Sequence, residues 1–214
     1  MKINPNPADV KRAVEEYDRA WSHLDGEVWQ RSQRARQSLL TGSSTSDVEE
    51  FVWFAAKSWG KVQGIVGETR AAAATVLRGM EWKSDLFEGH TPTAADEEFA
   101  VSTLARLVRG MNGLGIKRKE YSAGSKMLHW LMPWRVPIYD NVVREMLAVP
   151  QGPPSAATYR QIVRWELDAV GKLLESGDEW MGTGEPKAAL RALDKYLWWV
   201  GGGKDSGARG ARCS

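Results

Sequence analysis

Apolar positions recur at three- and four-residue spacing along almost the whole chain, and the pattern predicts helices throughout. Residues Ala8–His23 are charged and amphipathic, and Asp25–Leu40 reads as a second helix. Ser46 and Glu49 form a capping box ahead of FVWFAAKSWG, a helix expected to end at Gly60. Glu68–Arg78 carries the alanine run Ala71–Ala74, a strong helix former. Thr93 is expected to cap the next helix, whose stripe is Val101, Leu104, Leu107, Val108 and Met111. After a GMNGLG break, a short helix is predicted near Ser125–Met132 and another from Asp140 to about Ala148. The segment from Gln151 to Pro154 separates these from Ser155–Ser176, with Val163, Leu167, Val170 and Leu174 on one side. Pro186 opens the last helix, which turns Leu193, Tyr196, Leu197 and Val200 inward. Strand-like alternation is confined to short ambiguous runs, and no internal repeat is present. The expectation is an all-α bundle of about eight or nine helices over residues 1–203. Residues 204–214 form a Gly-rich tail expected to be disordered.

Composition narrows the function classes. The chain has 214 residues, 43% of them hydrophobic, enough for a sizeable core. No window approaches eighteen consecutive apolar residues, so no membrane span is expected. The amino-terminal stretch lacks an apolar core of the secretory kind, and the cytoplasm is the expected compartment. A single cysteine, Cys213, excludes disulfides, Cys-rich zinc sites and cysteine-ligated iron–sulfur clusters. His23, His90 and His129 have no metal-ligand spacing, so neither a metal nor a cofactor is expected. Eleven tryptophans are the compositional oddity; they fill cores, but they also suit stacking on bases or sugars.

Charge is unevenly spread. The chain carries a net +2, yet Arg106–Glu145 holds eight cations against three carboxylates. That concentration is the footprint of a phosphate-backbone binder, or else of a solvated basic loop. Within it lie a lysine near one helix start, Lys126, and an aspartate at the next, Asp140. Taken alone, Asp140 is an ordinary N-cap and Lys126 a surface lysine. Together they suggest chemistry. A helix N-terminus disfavours a cation and so favours the neutral amine a nucleophile needs. The same dipole keeps an aspartate ionised, able to stabilise a developing oxocarbenium ion.

The run SKMLHWLMP followed by PIYDNVV resembles the catalytic segment of the helix–hairpin–helix DNA glycosylase superfamily. It is most similar to the divergent 8-oxoguanine-glycosylase-like branch. The likeness spans about 35 residues, with an echo at LDKYLWWVG near the C-terminus. It implies two helical subdomains flanking a cleft, a degenerate hairpin, Lys126 as the Schiff-base lysine, Asp140 as the catalytic aspartate and Val143 in the valine position of the turn. It further implies that Trp198 or Trp199 lines a base pocket, with Trp130, Trp134, Tyr139 and His129 as stacking or base-contacting candidates. Backbone amides of Gly113–Ile116, with Gly113 and Gly115 as the hairpin-like glycines, would hold phosphates together with Lys117, Arg118, Lys119, Ser125 and Arg144. Lys117 and Lys119 are rivals of Lys126 for the nucleophile. In the common form of the superfamily the hairpin reads Gly-Val-Gly and the lysine stands about eighteen residues before the aspartate; here the string is Gly113-Leu-Gly115 and the interval is fourteen.

The expected activity is excision of a damaged or modified base from double-stranded DNA by a monomeric enzyme, with or without lysine-dependent strand nicking. Oxidised guanine follows from the resemblance; a modified pyrimidine, in repair or phage defence, is equally open. The competing class is a non-catalytic helical nucleic-acid-binding module, and a third is a helical protein-interaction module that uses exposed tryptophans.

Overall fold

Asn6 and Pro7 start the first helix, α1 (Pro7–Thr41): the Asn6 side chain accepts from the Asp9 amide at 3.0 Å, and proline fills a first-turn position that needs no amide. In the computed structural model, which describes residues 3–55, 67–116, 120–149, 153–182 and 187–203, α1 runs for 35 residues without a break. The sequence predicted two helices divided at Leu24. The division fails because Asp25 does not cap a second helix; it lies buried and pairs with Arg191 at 2.6 Å. Gly26, which costs a helix interior about 1 kcal/mol relative to alanine, is carried through by those tertiary contacts. The helix stops at Gly42, whose φ of 69° is left-handed and suits a residue without a Cβ.

The later helices follow the predicted order with shifted ends. Helix α2 (Thr45–Trp53) is capped by Ser44, which accepts from the Asp47 amide at 3.2 Å, so the predicted Ser46–Glu49 box lies two residues too far on. Glu49 instead pairs with Arg70 of α3 (Gly67–Arg78) at 3.2 Å. The predicted end at Gly60 falls outside the described residues. A 3-10 turn at Ser84–Phe87 leads to α4 (Ala95–Gly113). Thr93 is not an accepting cap there; the Asp96 carboxylate reaches back and accepts from the Thr93 amide at 2.8 Å and from its hydroxyl at 3.1 Å.

Helices α5 (Tyr121–Leu131) and α6 (Asn141–Met146) enclose the Trp- and Pro-rich connection. Helix α7 (Ala156–Leu174) starts on Ser155, which accepts from the Thr158 amide at 3.1 Å. After a 3-10 turn at Glu179–Met181, α8 (Ala189–Trp198) ends in a wider turn, Trp199–Gly203. Pro186 and residues 204–214, for which a helix start and a disordered tail were expected, lie outside the described residues.

The fold is all-α, with no strand among the described residues. Helix α1 packs against α2, α5 and α8, while α4 lies between α3, α5 and α7. Gly124 lets α5 press on α4: a Cβ there would stand 2.8 Å from the Leu104 side chain. Among the described residues, buried apolar side chains from every helix, α1 to α8, join in one continuous core, from Val10 and Val14 to Leu193 and Leu197. Among the described residues no helix is long and apolar enough to cross a membrane.

Candidate active site

Two hydrogen bonds set the geometry around Lys126 and Asp140. The Ser125 hydroxyl is fully buried; it donates to the Ser122 carbonyl at 3.0 Å and accepts from the Tyr139 amide at 2.9 Å. That second bond clamps the residue before Asp140 onto the residue before Lys126. Asp140 is the N-cap of α6, its Oδ1 accepting from the Val143 amide at 2.9 Å. Its other oxygen, Oδ2, faces Lys126 Nζ at 3.8 Å. The two side chains keep 11% and 17% of their surface exposed, so the pair sits at the edge of the core and is reachable from solvent. One expectation changes. Lys126 is the sixth residue of α5, because the helix begins a turn earlier than predicted, at Tyr121. The helix N-terminus therefore does little for the amine, since that field fades within the first turn. Asp140 is the carboxylate that faces Lys126.

The clamp is itself testable. Ser125→Ala strands a buried backbone amide, a loss of about 1–3 kcal/mol. A denaturant midpoint equal to wild type would mean that the Tyr139 amide finds another partner.

Behind the pair lies a buried charge network that the sequence did not suggest. On α8, Arg191, Asp194 and Lys195 recur at the spacing of one helical face. Such a face usually reads as the solvent side, yet all three are buried. Arg191 pairs with Asp25 at 2.6 Å, donates to the Tyr17 hydroxyl at 2.8 Å and pairs with Asp194. Lys195 Nζ lies 2.5 Å from Asp18 and 3.6 Å from Asp25. Burial raises the Asp194 carboxyl to about 6 against the pull of Arg191; Asp140 and Asp25 add to the rise, and Lys126 opposes it. Asp194 thus lies within electrostatic range of both members of the candidate pair. Glu166 of α7 is also fully buried, and burial followed by Asp194 and Asp140 pushes its carboxyl well above the usual range.

The aromatic candidates divide by exposure. Trp130 is fully buried, with the Arg191 guanidinium 5.1 Å from its ring centre. Tyr139 is buried between Tyr121 and Tyr159, ring centres 6.0 and 6.1 Å away. Trp134 belongs to a cage around Arg36, whose guanidinium lies 5.1 Å from Trp134 and 4.3 Å from Trp29 while donating to the Trp130 carbonyl at 3.0 Å. Burial lowers Arg36 to about 9. His129 is buried too; Nδ1 donates to the Val136 carbonyl at 2.7 Å, and burial followed by the Arg191 charge lowers the ring to about 3, leaving it neutral. These four side chains hold the core together in this state and offer no open face to a base. Trp198, one turn beyond Asp194, is half-buried and stands edge-on to Tyr17 at 5.6 Å and to Trp21 at 5.9 Å. Trp199 is also half-buried and packs against the core from the terminal turn.

The expected phosphate contacts fare differently. Gly113-Leu-Gly115 is the C-cap of α4: the Gly115 amide donates to the Asn112 carbonyl at 3.1 Å and the Ile116 amide to Met111 at 3.1 Å. Gly115 has a φ of 91°, as such a cap requires. The Leu114 amide donates to Gly110 at 3.2 Å, and Gly113 is still helical. These amides are engaged in ending the helix, so they do not form a phosphate cradle. Ser125 is occupied by the clamp, and Arg144 is buried with its guanidinium 5.5 Å from the Tyr139 ring. Lys117, Arg118 and Lys119 lie outside the described residues. Among the described residues no three His, Cys, Asp or Glu side chains gather in a way that would hold a metal ion.

No family model, curated protein or solved structure matches the chain.

Proposed function

We propose that the chain is a DNA glycosylase that excises a damaged or modified base through Lys126 and Asp140. The observation that carries the reading is the 3.8 Å approach of Lys126 Nζ to Asp140 Oδ2, on successive helices and at the edge of solvent. A flipped nucleotide, unstacked at a cost of a few kcal/mol, would place its sugar against this pair. Asp140 stabilises the positive charge that grows on the sugar as the glycosidic C–N bond breaks. The neutral Lys126 amine adds to C1′, and its surplus proton leaves with the base. Opening of the sugar ring gives an imine, and removal of a C2′ proton then expels the 3′ phosphate and nicks the strand. Oxidised guanine and modified pyrimidines are the substrate classes to try, with the half-buried Trp198 and Trp21 as the aromatics to test for contact with a base.

The test is borohydride trapping on duplexes carrying 8-oxoguanine, modified cytosines or an abasic site. Wild type is expected to form a covalent adduct with at least one of them, and Lys126→Gln none. If Lys126→Gln still releases the base and leaves an alkali-labile site, the enzyme is monofunctional and relies on Asp140. If neither trapping nor alkali cleavage occurs on any duplex, the proposal fails in favour of a non-catalytic nucleic-acid-binding module.

A further inference from the structure

The chain leaves α8 by the wider turn Trp199–Gly203, two of whose glycines serve different needs. Gly202 has a φ of 97°, a left-handed conformation that favours glycine. Gly201 is not in that conformation and is exposed, so the turn itself would accept a side chain there. What forbids one is α6. A Cβ on Gly201 would collide with Val142 Cγ1 and stand 3.1 Å from Met146 Cγ and 3.4 Å from its Sδ. The two neighbours differ in how they can yield. Methionine is unbranched and can swing aside, whereas a β-branched valine in a helix has one strongly preferred rotamer. A side chain at Gly201 would therefore push on Val142, and through it on the backbone of α6.

That push would arrive next to the candidate site. Val142 stands two residues after Asp140 and one before Val143, whose amide donates to Asp140 Oδ1 at 2.9 Å. Asp140 Oδ2 in turn faces Lys126 Nζ at 3.8 Å. Helix α6 is six residues long, too short to hold its place by its own hydrogen bonds. It is set between the Ser125–Tyr139 clamp at its start and its packing against α8 and the terminal turn.

We propose that Gly201 is a positioning residue of the Lys126–Asp140 site: lacking a side chain, it lets the terminal turn lie directly on Val142 and so fixes where α6 holds the Asp140 carboxylate. The contact acts on the Asp140 side of the pair. On the reading of that pair as the reactive centre, on which this inference rests, a misplacement of about 1 Å costs up to on the order of a hundredfold in rate.

Gly201→Ala, Val142→Ala and the double variant are compared with wild type, each beside a denaturant titration that shows it folded. Single-turnover base release from a duplex that wild type processes should fall on the order of ten- to a hundredfold in Gly201→Ala. The double variant, in which the collision with Cγ1 is gone, should recover most of that loss. Competitive acetylation followed by peptide mass spectrometry reads Lys126 without DNA, against exposed Lys172. An increase of about 1 Å in the 3.8 Å separation weakens the Coulomb attraction by about a fifth. Labelling of Lys126 relative to Lys172 should therefore change severalfold in Gly201→Ala and return in the double variant. Val142→Ile adds one methyl group to the same contact from the α6 side, and gives the same shift more gently should Gly201→Ala fold poorly. Wild-type labelling of Lys126 in folded Gly201→Ala, a wild-type rate of base release, or a change that Val142→Ala leaves standing would each overturn the proposal and reduce Gly201 to a surface glycine. A reversible labelling change with no duplex processed by any of the proteins would uphold the coupling and sink the glycosylase reading; base release by wild type with unaltered labelling in the variant would do the reverse.

Discussion

Asp140→Asn is expected to leave the fold intact and to remove most of the proposed excision activity. Asp140 has two jobs carried by different oxygens. Oδ1 caps α6 by accepting from the Val143 amide, and Oδ2 faces Lys126. Asparagine caps a helix as well as aspartate does, so unfolding free energy should stay within about 0.5 kcal/mol of wild type. The amide carries no charge to stabilise an oxocarbenium ion, and loss of a preorganised electrostatic group costs on the order of a hundred- to a thousandfold in rate. Single-turnover base release, measured beside a denaturant titration, reads both quantities. Asp140→Ala would confuse them, because it removes the cap as well. A wild-type rate in the folded Asn variant would reduce Asp140 to a cap and leave the mechanism without its anion.

Arg191→Met should give the largest loss of stability in the molecule, about 3–5 kcal/mol, the usual penalty for stranding buried charges. Arg191 is the hub between Asp25, Asp194 and the Tyr17 hydroxyl, and only 1% of its side chain is exposed. Removing it takes from the buried carboxylates of Asp25 and Asp194 the cation they share. The penalty belongs to the stranded partners rather than to the lost arginine. Adding Asp25→Asn and Asp194→Asn to Arg191→Met should therefore recover a large part of the loss. A triple variant no more stable than Arg191→Met alone would show that packing of the guanidinium against Trp130 and Tyr17, rather than charge, is what the site supplies.

What the sequence revealed and what it hid divide along a physical line. Helix starts and apolar stripes depend on neighbours three or four residues away, so the order of helices, the α4 stripe and the Asp140 cap could be read directly. Asp140 and Lys126 were also legible as a pair, since they lie fourteen residues apart across one short connection. The clamp between Ser125 and Tyr139 was not, because a serine beside a helix start has many uses. The α8 charges were misleading for a different reason. Their spacing suits a wet face, and partners on α1, among them Asp25, 166 residues before Arg191 in the chain, make the same face a buried one. The same aspartate explains why α1 does not break where Leu24-Asp-Gly suggested it would. Gly113-Leu-Gly115 misled in the opposite direction: a glycine pair after an apolar helix ends that helix far more simply than it builds a phosphate site.

The unbroken course of α1 constrains how a ligand could enter. Asp25 and Arg36 are eleven residues apart, which is close to three full turns, so they lie on nearly the same side of the rod, about 16 Å from each other. Asp25 grips α8 through Arg191, and Arg36 grips the end of α5 through the Trp130 carbonyl. One stiff strut thus fixes the spacing between the helix that carries Lys126 and the helix that carries Asp194 and Trp198. Jaw-like separation of the two would have to break a buried ion pair or a caged guanidinium. Room for a guest has to come from side chains turning at the rim, with the frame held still.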